Sequence, residues 1–152
     1  MITVEEFMTS ELCTLKETDS ISDARKIMTT RNIRHIPVVD DHNHMLGLVT
    51  QRDILAATEP GFLKKEGGNP DAGGADISLS EIMIRNVSVV EKTDSLRSAA
   101  LFMQSHKYGC LPVVSNGQLA GIITDSDFIS IAINLIEQAE LNEEELGSEG
   151  FI

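Results

Sequence analysis

The sequence has few of the features that mark several classes of protein. It contains no tryptophan, one tyrosine and only two cysteines, Cys13 and Cys110, which are far apart in apolar stretches. Such cysteines form neither a disulfide framework nor a metal-ligand pair by spacing, so we expect both to serve in packing. No apolar run approaches the roughly 20 residues that span a bilayer, and Glu5 and Glu6 stand where a secretory signal would carry positive charge. The sequence therefore predicts a cytoplasmic protein without a membrane segment.

Positive charge is also scarce. The chain has 12 lysines and arginines against 24 aspartates and glutamates, a formal net charge of −12. Because affinity for DNA or RNA comes largely from cations that neutralise phosphates, this balance argues against a nucleic-acid partner. With 152 residues, 41% of them apolar, the chain has the size and composition of one compact folded unit.

The chain does contain two copies of one sequence pattern, offset by 75 residues and by 74 near the end. Such internal similarity at a fixed spacing indicates a duplicated structural unit. The matched positions include Thr18-Asp19-Ser20 with Thr93-Asp94-Ser95, Pro37-Val38-Val39 with Pro112-Val113-Val114, and Gly47, Thr50 and Asp53 with Gly121, Thr124 and Asp127.

Each copy predicts the element order strand, helix, strand, strand, helix. Ser20 and Ser95 are candidate helix N-caps, and the apolar residues that follow them have helical spacing. Two short apolar runs joined by a polar turn then predict a β-hairpin, with Asn116-Gly117 as the turn of the second copy. A lone copy of about 50 residues would be marginally stable, so we predict an α+β fold in which two β-α-β-β-α copies pack sheet to sheet.

The predicted boundaries are a first repeat over 1–57, a Gly-rich linker over 58–76, a second repeat over 77–139 and an acidic, solvated tail over 140–152. The segment from Phe128 to Ala139 is apolar on more than one face. Such a helix either packs inside the pair or forms a dimer contact, and both alternatives remain open.

The motif Gly-x-x-Thr-x-x-Asp occurs in both copies, as GLVTQRD and GIITDSD. It places Thr50 and Thr124 at helix starts, with Asp53 and Asp127 in the first turn. A carboxylate there can accept two hydrogen bonds from a diol such as that of ribose. Alternatively, the threonines are ordinary N-caps and the aspartates only favour the helix dipole.

The duplicated order, the Pro-Val-Val run and the paired motif resemble a tandem pair of cystathionine-β-synthase (CBS) domains, or Bateman module. The resemblance implies a regulatory protein that binds AMP, ADP or ATP, or S-adenosylmethionine, in clefts between the copies, and that requires no cofactor. It also implies a homodimer and an unidentified partner protein. No catalytic signature or P-loop is present, so we expect no enzyme activity. The alternative is a scaffold or dimerisation module with vestigial sites.

The resemblance also implies which residues meet in each cleft, since each cleft takes its motif from one copy and its remaining lining from the other. The Asp127 cleft would contain Gly121, Ile122, Thr124, Leu12 and Cys13, with Arg34, His35 and Arg52 towards the phosphates. The Asp53 cleft would contain Thr50, Val87 and Ser88, with Gly109, Cys110 and Ser126 at the positions that match the three basic groups. We therefore expect tighter binding in the Asp127 cleft.

The remaining candidates for metal ligands lie in one hairpin turn. His42 and His44 follow Asp40 and Asp41, and imidazole and carboxylate both bind divalent ions. The turn composition favours a solvated loop without a metal.

Overall fold

Two β-hairpins, one in each repeat, form the framework of the computed structural model, which describes residues 1–58 and 77–149. Most of the predicted linker, 59–76, and the end of the predicted tail, 150–152, lie outside the described residues. The strands are β1 (His35–Val39), β2 (Met45–Thr50), β3 (Val90–Glu91), β4 (Cys110–Ser115) and β5 (Gln118–Thr124). The helices are α1 (Ile21–Arg31), α2 (Gln51–Ala57), α3 (Leu96–His106) and α4 (Asp125–Glu149). Two short 3₁₀ helices in the described residues, Val4–Glu6 and Leu79–Glu81, lie at the start of the first and the second repeat.

The two hairpins differ in their turns, which accounts for the change of offset. In the second repeat, β4 and β5 pair antiparallel through Asn116 and Gly117, whose φ angles of 54° and 79° are those of a tight two-residue turn. In the first repeat, β1 and β2 are joined by a longer turn. There Asp40 Oδ1 accepts hydrogen bonds from the backbone N–H groups of His42 and His44, at 2.8 and 2.9 Å.

Helices α1 and α3 begin and end at matched positions, as the sequence predicts. Ser20 and Ser95 accept hydrogen bonds from the backbone N–H three residues later. Each helix ends at a residue in the left-handed region, Asn32 with φ 54° and Lys107 with φ 57°. The buried faces are formed by Ile21, Ala24 and Met28 in α1 and by Leu96, Ala99 and Met103 in α3.

The predicted first strand of each repeat is very short. In the second repeat it is the two-residue strand β3, which pairs in parallel with β4. In the first repeat it is a single parallel bridge between Leu15 and Val38. A carboxylate closes a turn after each short strand, because Asp19 accepts a hydrogen bond from the Lys16 N–H at 2.7 Å and Asp94 accepts one from the Glu91 N–H at 2.9 Å. These local bonds turn the chain towards the following helix.

The opening segments of the two repeats are exchanged between their cores. Val4 is fully buried in the core of the second repeat, whereas Leu79 and Met83 are buried in the core of the first. Backbone bridges fix both segments, Thr9 to Ile122 on one side and Leu48 to Ile84 on the other. Neither repeat has a complete core without residues from the other half of the chain, so the pair is the folding unit.

A small apolar cluster lies between the two repeats. It contains Leu48, Cys110 and Ile122, with Leu12 and Val87 packed against it. Burial raises the pKa of the Cys110 thiol to about 12, and the nearby carboxylate of Asp125 adds to the effect. The Cys110 side chain is therefore a neutral part of the packing at neutral pH, as expected for a buried free cysteine.

Helix α4 continues beyond the residue at which the sequence predicts a solvated tail. It passes through Ala139 without a break and ends at Glu149. Residues 141–145 are exposed, yet they extend the helix rather than fraying from it, because leucine and glutamate have high helix propensity.

The alternative in which this helix packs wholly inside the pair is wrong. From Ala132 to Glu145 every residue of α4 is exposed in the isolated chain, including Ile133, Leu135 and Ile136. Within the described residues, no helix combines the length and the hydropathy that a membrane span requires.

Candidate functional site

Both Gly-x-x-Thr-x-x-Asp motifs form reciprocal helix caps. Asp53 Oδ2 accepts hydrogen bonds from the backbone N–H and the hydroxyl of Thr50, at 3.0 and 2.8 Å, and the Asp53 N–H donates back to Thr50 Oγ1 at 3.2 Å. Asp127 and Thr124 repeat the arrangement at 2.8, 3.2 and 3.3 Å. The threonines are therefore helix N-caps, which is the alternative interpretation of the motif. Capping occupies only the Oδ2 atom of each carboxylate, however.

The second carboxylate oxygen distinguishes the two motifs. Asp127 Oδ1 accepts a hydrogen bond from the Thr9 hydroxyl at 3.2 Å. The residue that matches Thr9 at the repeat offset is Ile84, which has no hydroxyl to offer Asp53. Thr9 was not among the residues predicted for the site, although the repeat alignment places a hydroxyl at this position in one copy only.

Two neighbouring cavities lie beside the two motifs. The smaller, of about 200 Å³, lies beside Thr124 and is lined by residues of both repeats. Six residues predicted for the Asp127 cleft meet there: Leu12, Cys13, Arg34, His35, Ile122 and Thr124. Thr9, Glu11 and Ser126 also line it. Gly121 and Asp127, also predicted for this cleft, are not among its lining residues. A Cβ at Gly121 would meet Met8, and Asp127 accepts a hydrogen bond from Thr9. The cavity therefore joins an apolar side with a polar one.

A larger cavity of about 690 Å³ lies beside Thr50 and Asp53. Arg34, His35 and Asp125 line both cavities, so the two are neighbours across these side chains. The larger one is also lined by Gln51, Arg52, Leu55, Ile84, Lys107 and Gly109. Val87 and Ser88, predicted for this cleft, are not among the lining residues.

The structure corrects the predicted position of Arg52. This residue lines the larger cavity with Asp53, whereas Ser126 lines the smaller one with Thr124. Each follows its own motif threonine by two residues and so stays in the first helical turn beside its own cavity. The reason given for tighter binding in the Asp127 cleft thus loses one of its three basic groups.

The two cavities consequently differ in charge. In the smaller, Arg34 is accompanied by the carboxylates of Glu11 and Asp125. In the larger, the cationic side chains of Arg34, Arg52 and Lys107 are accompanied by Asp53 and Asp125. Lys107 is absent from the sequence predictions because it ends a helix and belongs to no motif.

Arg34 and His35 lie at the junction of the cavities. Arg34 Nη2 is 3.8 Å from Asp125 Oδ1. Burial lowers the pKa of His35. The positive charge of Arg34 lowers it further, and the carboxylates of Asp125 and Asp53 raise it by less than the burial lowers it. The neutral imidazole is thus favoured at neutral pH, where it can donate and accept a hydrogen bond. A Cβ at Gly109 would lie 3.3 Å from His35 Nε2, so this glycine makes room for the ring.

The hairpin turn that contains His42 and His44 is organised by hydrogen bonds. Asp40 Oδ2 lies 3.2 Å from His44 Nδ1, and its Oδ1 accepts the two turn N–H bonds. No group of three potential metal ligands was found in residues 1–58 and 77–149.

Comparison with known sequences gives matches along both repeats. The family model described as "CBS domain" matches residues 4–59 and 79–134. The uncharacterized protein MJ1225 of Methanocaldococcus jannaschii is 34% identical over 128 residues, which cover 84% of this chain and 42% of that protein. A homoserine O-acetyltransferase of Methanocorpusculum labreanum is 33% identical over 86% of this chain, but over only 24% of its own length. The chain therefore spans less than half of each of these two relatives.

Solved structures match over nearly the whole chain. One described as an acetoin utilization protein (AcuB) of Vibrio cholerae is 44% identical, with a TM-score of 0.81 over 92% of this chain and 98% of that one. CBSX2 of Arabidopsis thaliana in complex with AMP is 27% identical, with a TM-score of 0.74 over 89% and 98%. The CBS domain pair of protein MJ0100, in complex with 5′-methylthioadenosine and S-adenosyl-L-methionine, is 26% identical, with a TM-score of 0.73 over 88% and 98%.

Proposed function

Because this chain belongs to the CBS domain family, as a tandem pair of such domains, we propose that it is a regulatory protein that binds an adenine nucleotide between its repeats. The observation that carries the proposal is the smaller cavity, where Leu12 and Arg34 of the first repeat meet Thr124 of the second. AMP in CBSX2 and adenosyl compounds in the MJ0100 domain pair support the ligand class. AMP, ADP, ATP and S-adenosylmethionine all contain the adenosine that this cavity would recognise.

The lining suggests how adenosine is held. Leu12 and Ile122 offer apolar surface to the base, and the Cys13 side chain is partly exposed beside them. The ribose hydroxyls bond to Asp127 Oδ1, taking the place of the Thr9 hydroxyl. Since ligand pockets are usually about 300–1,000 Å³, a nucleotide exceeds the smaller cavity, and its phosphates extend past Arg34 and His35.

Replacing Asp127 with asparagine is expected to weaken AMP binding by about 10-fold or more. The asparagine oxygen can still cap the helix, but the charge-assisted hydrogen bonds to the ribose are lost. The dissociation constant is measured by calorimetric titration of the nucleotide-free protein with AMP, ADP, ATP and S-adenosylmethionine.

The matched control is Asp53→Asn, which makes the same change in the other helix cap. It should weaken AMP binding less, because Asp53 lies in the larger cavity. Equal losses in the two variants would contradict the assignment of adenosine to the smaller cavity. If the unaltered protein binds none of the four ligands, the proposal of nucleotide binding itself is wrong.

Regulation requires that the ligand distinguish two states of the protein, or two affinities for a partner. The cavities lie between the repeats, so a ligand there bears on their relative arrangement. We propose a partner protein in the cytoplasm as the recipient of this change, and no reaction catalysed by the chain itself.

A second candidate function, dimerisation, is favoured by the exposed face of α4. Ile129, Ile133 and Ile136 follow one another at helical spacing and are 59, 49 and 56% exposed. An apolar stripe of this kind on a long helix is typical of a helix-to-helix contact. We propose a homodimer through this face, which is compatible with the nucleotide site.

Ile133→Glu is expected to convert such a dimer into a monomer, because two carboxylates would be buried against apolar side chains. The mass in solution is measured by light scattering after size-exclusion chromatography. Gln138→Glu adds the same charge at another exposed position of α4 and should leave the dimer intact. A chain that is monomeric at every concentration would contradict this contact.

A further inference from the structure

Thr9 covers Asp127 on the side of the smaller cavity. The exposed Thr9 is among the lining residues of this cavity, whereas Asp127 is not. The Thr9 hydroxyl donates a hydrogen bond to Asp127 Oδ1 at 3.2 Å. Asp127 Oδ2 accepts the N–H and the hydroxyl of Thr124 in the helix cap. The Thr9 hydroxyl therefore occupies the carboxylate oxygen that capping leaves available.

The other repeat has the same backbone arrangement without this hydroxyl. Ile84 matches Thr9 at the repeat offset, and a backbone bridge joins it to Leu48, just as a bridge joins Thr9 to Ile122. Ile84 and Asp53 both line the larger cavity. The motif aspartate thus borders its cavity where the hydroxyl is missing and is covered where the hydroxyl is present.

The main chain of Thr9 is held in place, so only its side chain is free to turn. The Thr9 N–H donates to the Ile122 carbonyl at 2.9 Å, and the Ile122 N–H donates to the Thr9 carbonyl at 3.0 Å. Rotation of an exposed side chain takes picoseconds to nanoseconds. Asp127 Oδ1 can therefore become available without any movement of the backbone bridge.

A ribose that binds Asp127 Oδ1 has to replace a hydrogen bond that the protein already makes. Such an exchange gains less free energy than bonding to a carboxylate oxygen that only water occupies. The apparent dissociation constant rises in inverse proportion to the fraction of molecules in which the binding group is available. The Thr9 hydroxyl thus lowers the affinity for any ligand that needs Asp127 Oδ1.

We propose that Thr9 is an intramolecular competitor of the ribose and sets the affinity of the smaller cavity for adenosine compounds. Its hydroxyl holds Asp127 Oδ1 in the free protein and turns away when a ribose diol binds. This inference rests on the proposed nucleotide function. A ligand without the diol does not displace the hydroxyl and binds beside an intact bond between Thr9 and Asp127.

Thr9→Val tests the competition directly. Valine lacks the hydroxyl but keeps the branched shape of threonine, and the backbone bonds to Ile122 remain. We expect the variant to bind adenosine about 5-fold more tightly than the unaltered protein, which corresponds to the loss of one competing hydrogen bond. The dissociation constant is measured by calorimetric titration, and thermal melting verifies that each variant is folded.

Three controls separate competition from other effects of the substitution. Thr9→Ser retains a hydroxyl and should keep the affinity of the unaltered protein. Dideoxyadenosine, which lacks the ribose diol, should bind the unaltered protein and Thr9→Val equally. Ile84→Thr introduces a hydroxyl at the matched position beside the larger cavity and should leave adenosine binding unchanged.

The proposal is overturned if Thr9→Val binds adenosine no more tightly than the unaltered protein, or if Thr9→Ser or dideoxyadenosine shows the same gain. Weaker binding by Thr9→Val would mean that Thr9 orients Asp127 for the ribose instead of competing with it. A fall in adenosine affinity in Ile84→Thr would place adenosine beside Asp53 and contradict the competition at Asp127.

Failure of this proposal is distinguishable from failure of nucleotide binding. Adenosine binding that Thr9→Val does not tighten contradicts the competition alone. If neither the unaltered protein nor Thr9→Val binds adenosine or AMP, both proposals are wrong. Binding that is measurable only in Thr9→Val would support both, because the competitor would then be strong enough to conceal the site.

Discussion

Replacing Gly121 with alanine is expected to lower the free energy of unfolding by about 2–3 kcal/mol. A Cβ at this position would lie 2.6 Å from Met8 Sδ and 2.9 Å from the Thr9 carbonyl oxygen. The methionine side chain can turn away, but the Thr9 oxygen cannot, because it accepts a hydrogen bond from the Ile122 N–H at 3.0 Å. The added methyl group therefore separates the exchanged N-terminal segment from β5.

The free energy of unfolding is measured by chemical denaturation. Thermal unfolding should show a fall in Tm of about 5–10 °C for a chain of this length. Gly109→Ala is the matched control, since its Cβ would meet only side-chain atoms, His35 Nε2 at 3.3 Å and Asp125 Oδ2 at 3.8 Å. We expect it to cost less than about 1 kcal/mol. A Gly121→Ala protein as stable as the unaltered one would show that the segment from Met8 to Thr9 adapts to the methyl group.

Removing residues 1–9 is expected to cost about 4–6 kcal/mol, a large share of the roughly 5–15 kcal/mol that stabilises an ordinary domain. The deletion opens the second core at Val4, whose burial stabilises the fold by roughly 1.5–3 kcal/mol. It also removes backbone hydrogen bonds, including Val4 N–H to Asp94 at 2.9 Å and Leu96 N–H to Ile2 at 2.9 Å. Each contributes about 1 kcal/mol. Circular dichroism and urea denaturation measure the loss.

The control for this deletion is a chain that ends at Glu143, which also lacks nine residues. The residues just before that point are exposed and belong to neither core, so this chain should unfold close to the full-length protein. If the two deletions have equal effects, the N-terminal segment does not contribute to the second core in the way that its burial indicates.

The elements within each repeat are predictable because their signals are local. Ser20 and Ser95 mark helix starts, Asn116 and Gly117 mark a tight turn, and the apolar spacing after each serine identifies the buried face. The repeat offset also predicts that the pair forms one unit. The helices and the hairpin need only a few neighbouring residues and local geometry, whereas the pairing is inferred from comparison of the two copies.

Part of the site is predictable for a different reason. Six residues that the family resemblance implies for the Asp127 cleft do line the smaller cavity. Arg52 was misplaced since the spacing of residues does not state which of two adjoining cavities a side chain enters. Lys107 and Thr9 were not identified because their importance comes from residues far away in the chain, Arg52 and Asp127.

The exchange of the opening segments also determines when each core can form during translation. On the ribosome, Val4 emerges early, but the main-chain groups of Asp94 and Ile122 that hold its segment are added much later. At about 5–20 residues per second, this interval lasts about 5–20 s. The first repeat likewise waits for Leu79 and Met83 before its core can close. In a nascent chain the first core can therefore close once Met83 has emerged, whereas Val4 stays unpaired until translation has passed the second hairpin and remains exposed longer to chaperones and proteases that bind unfolded protein.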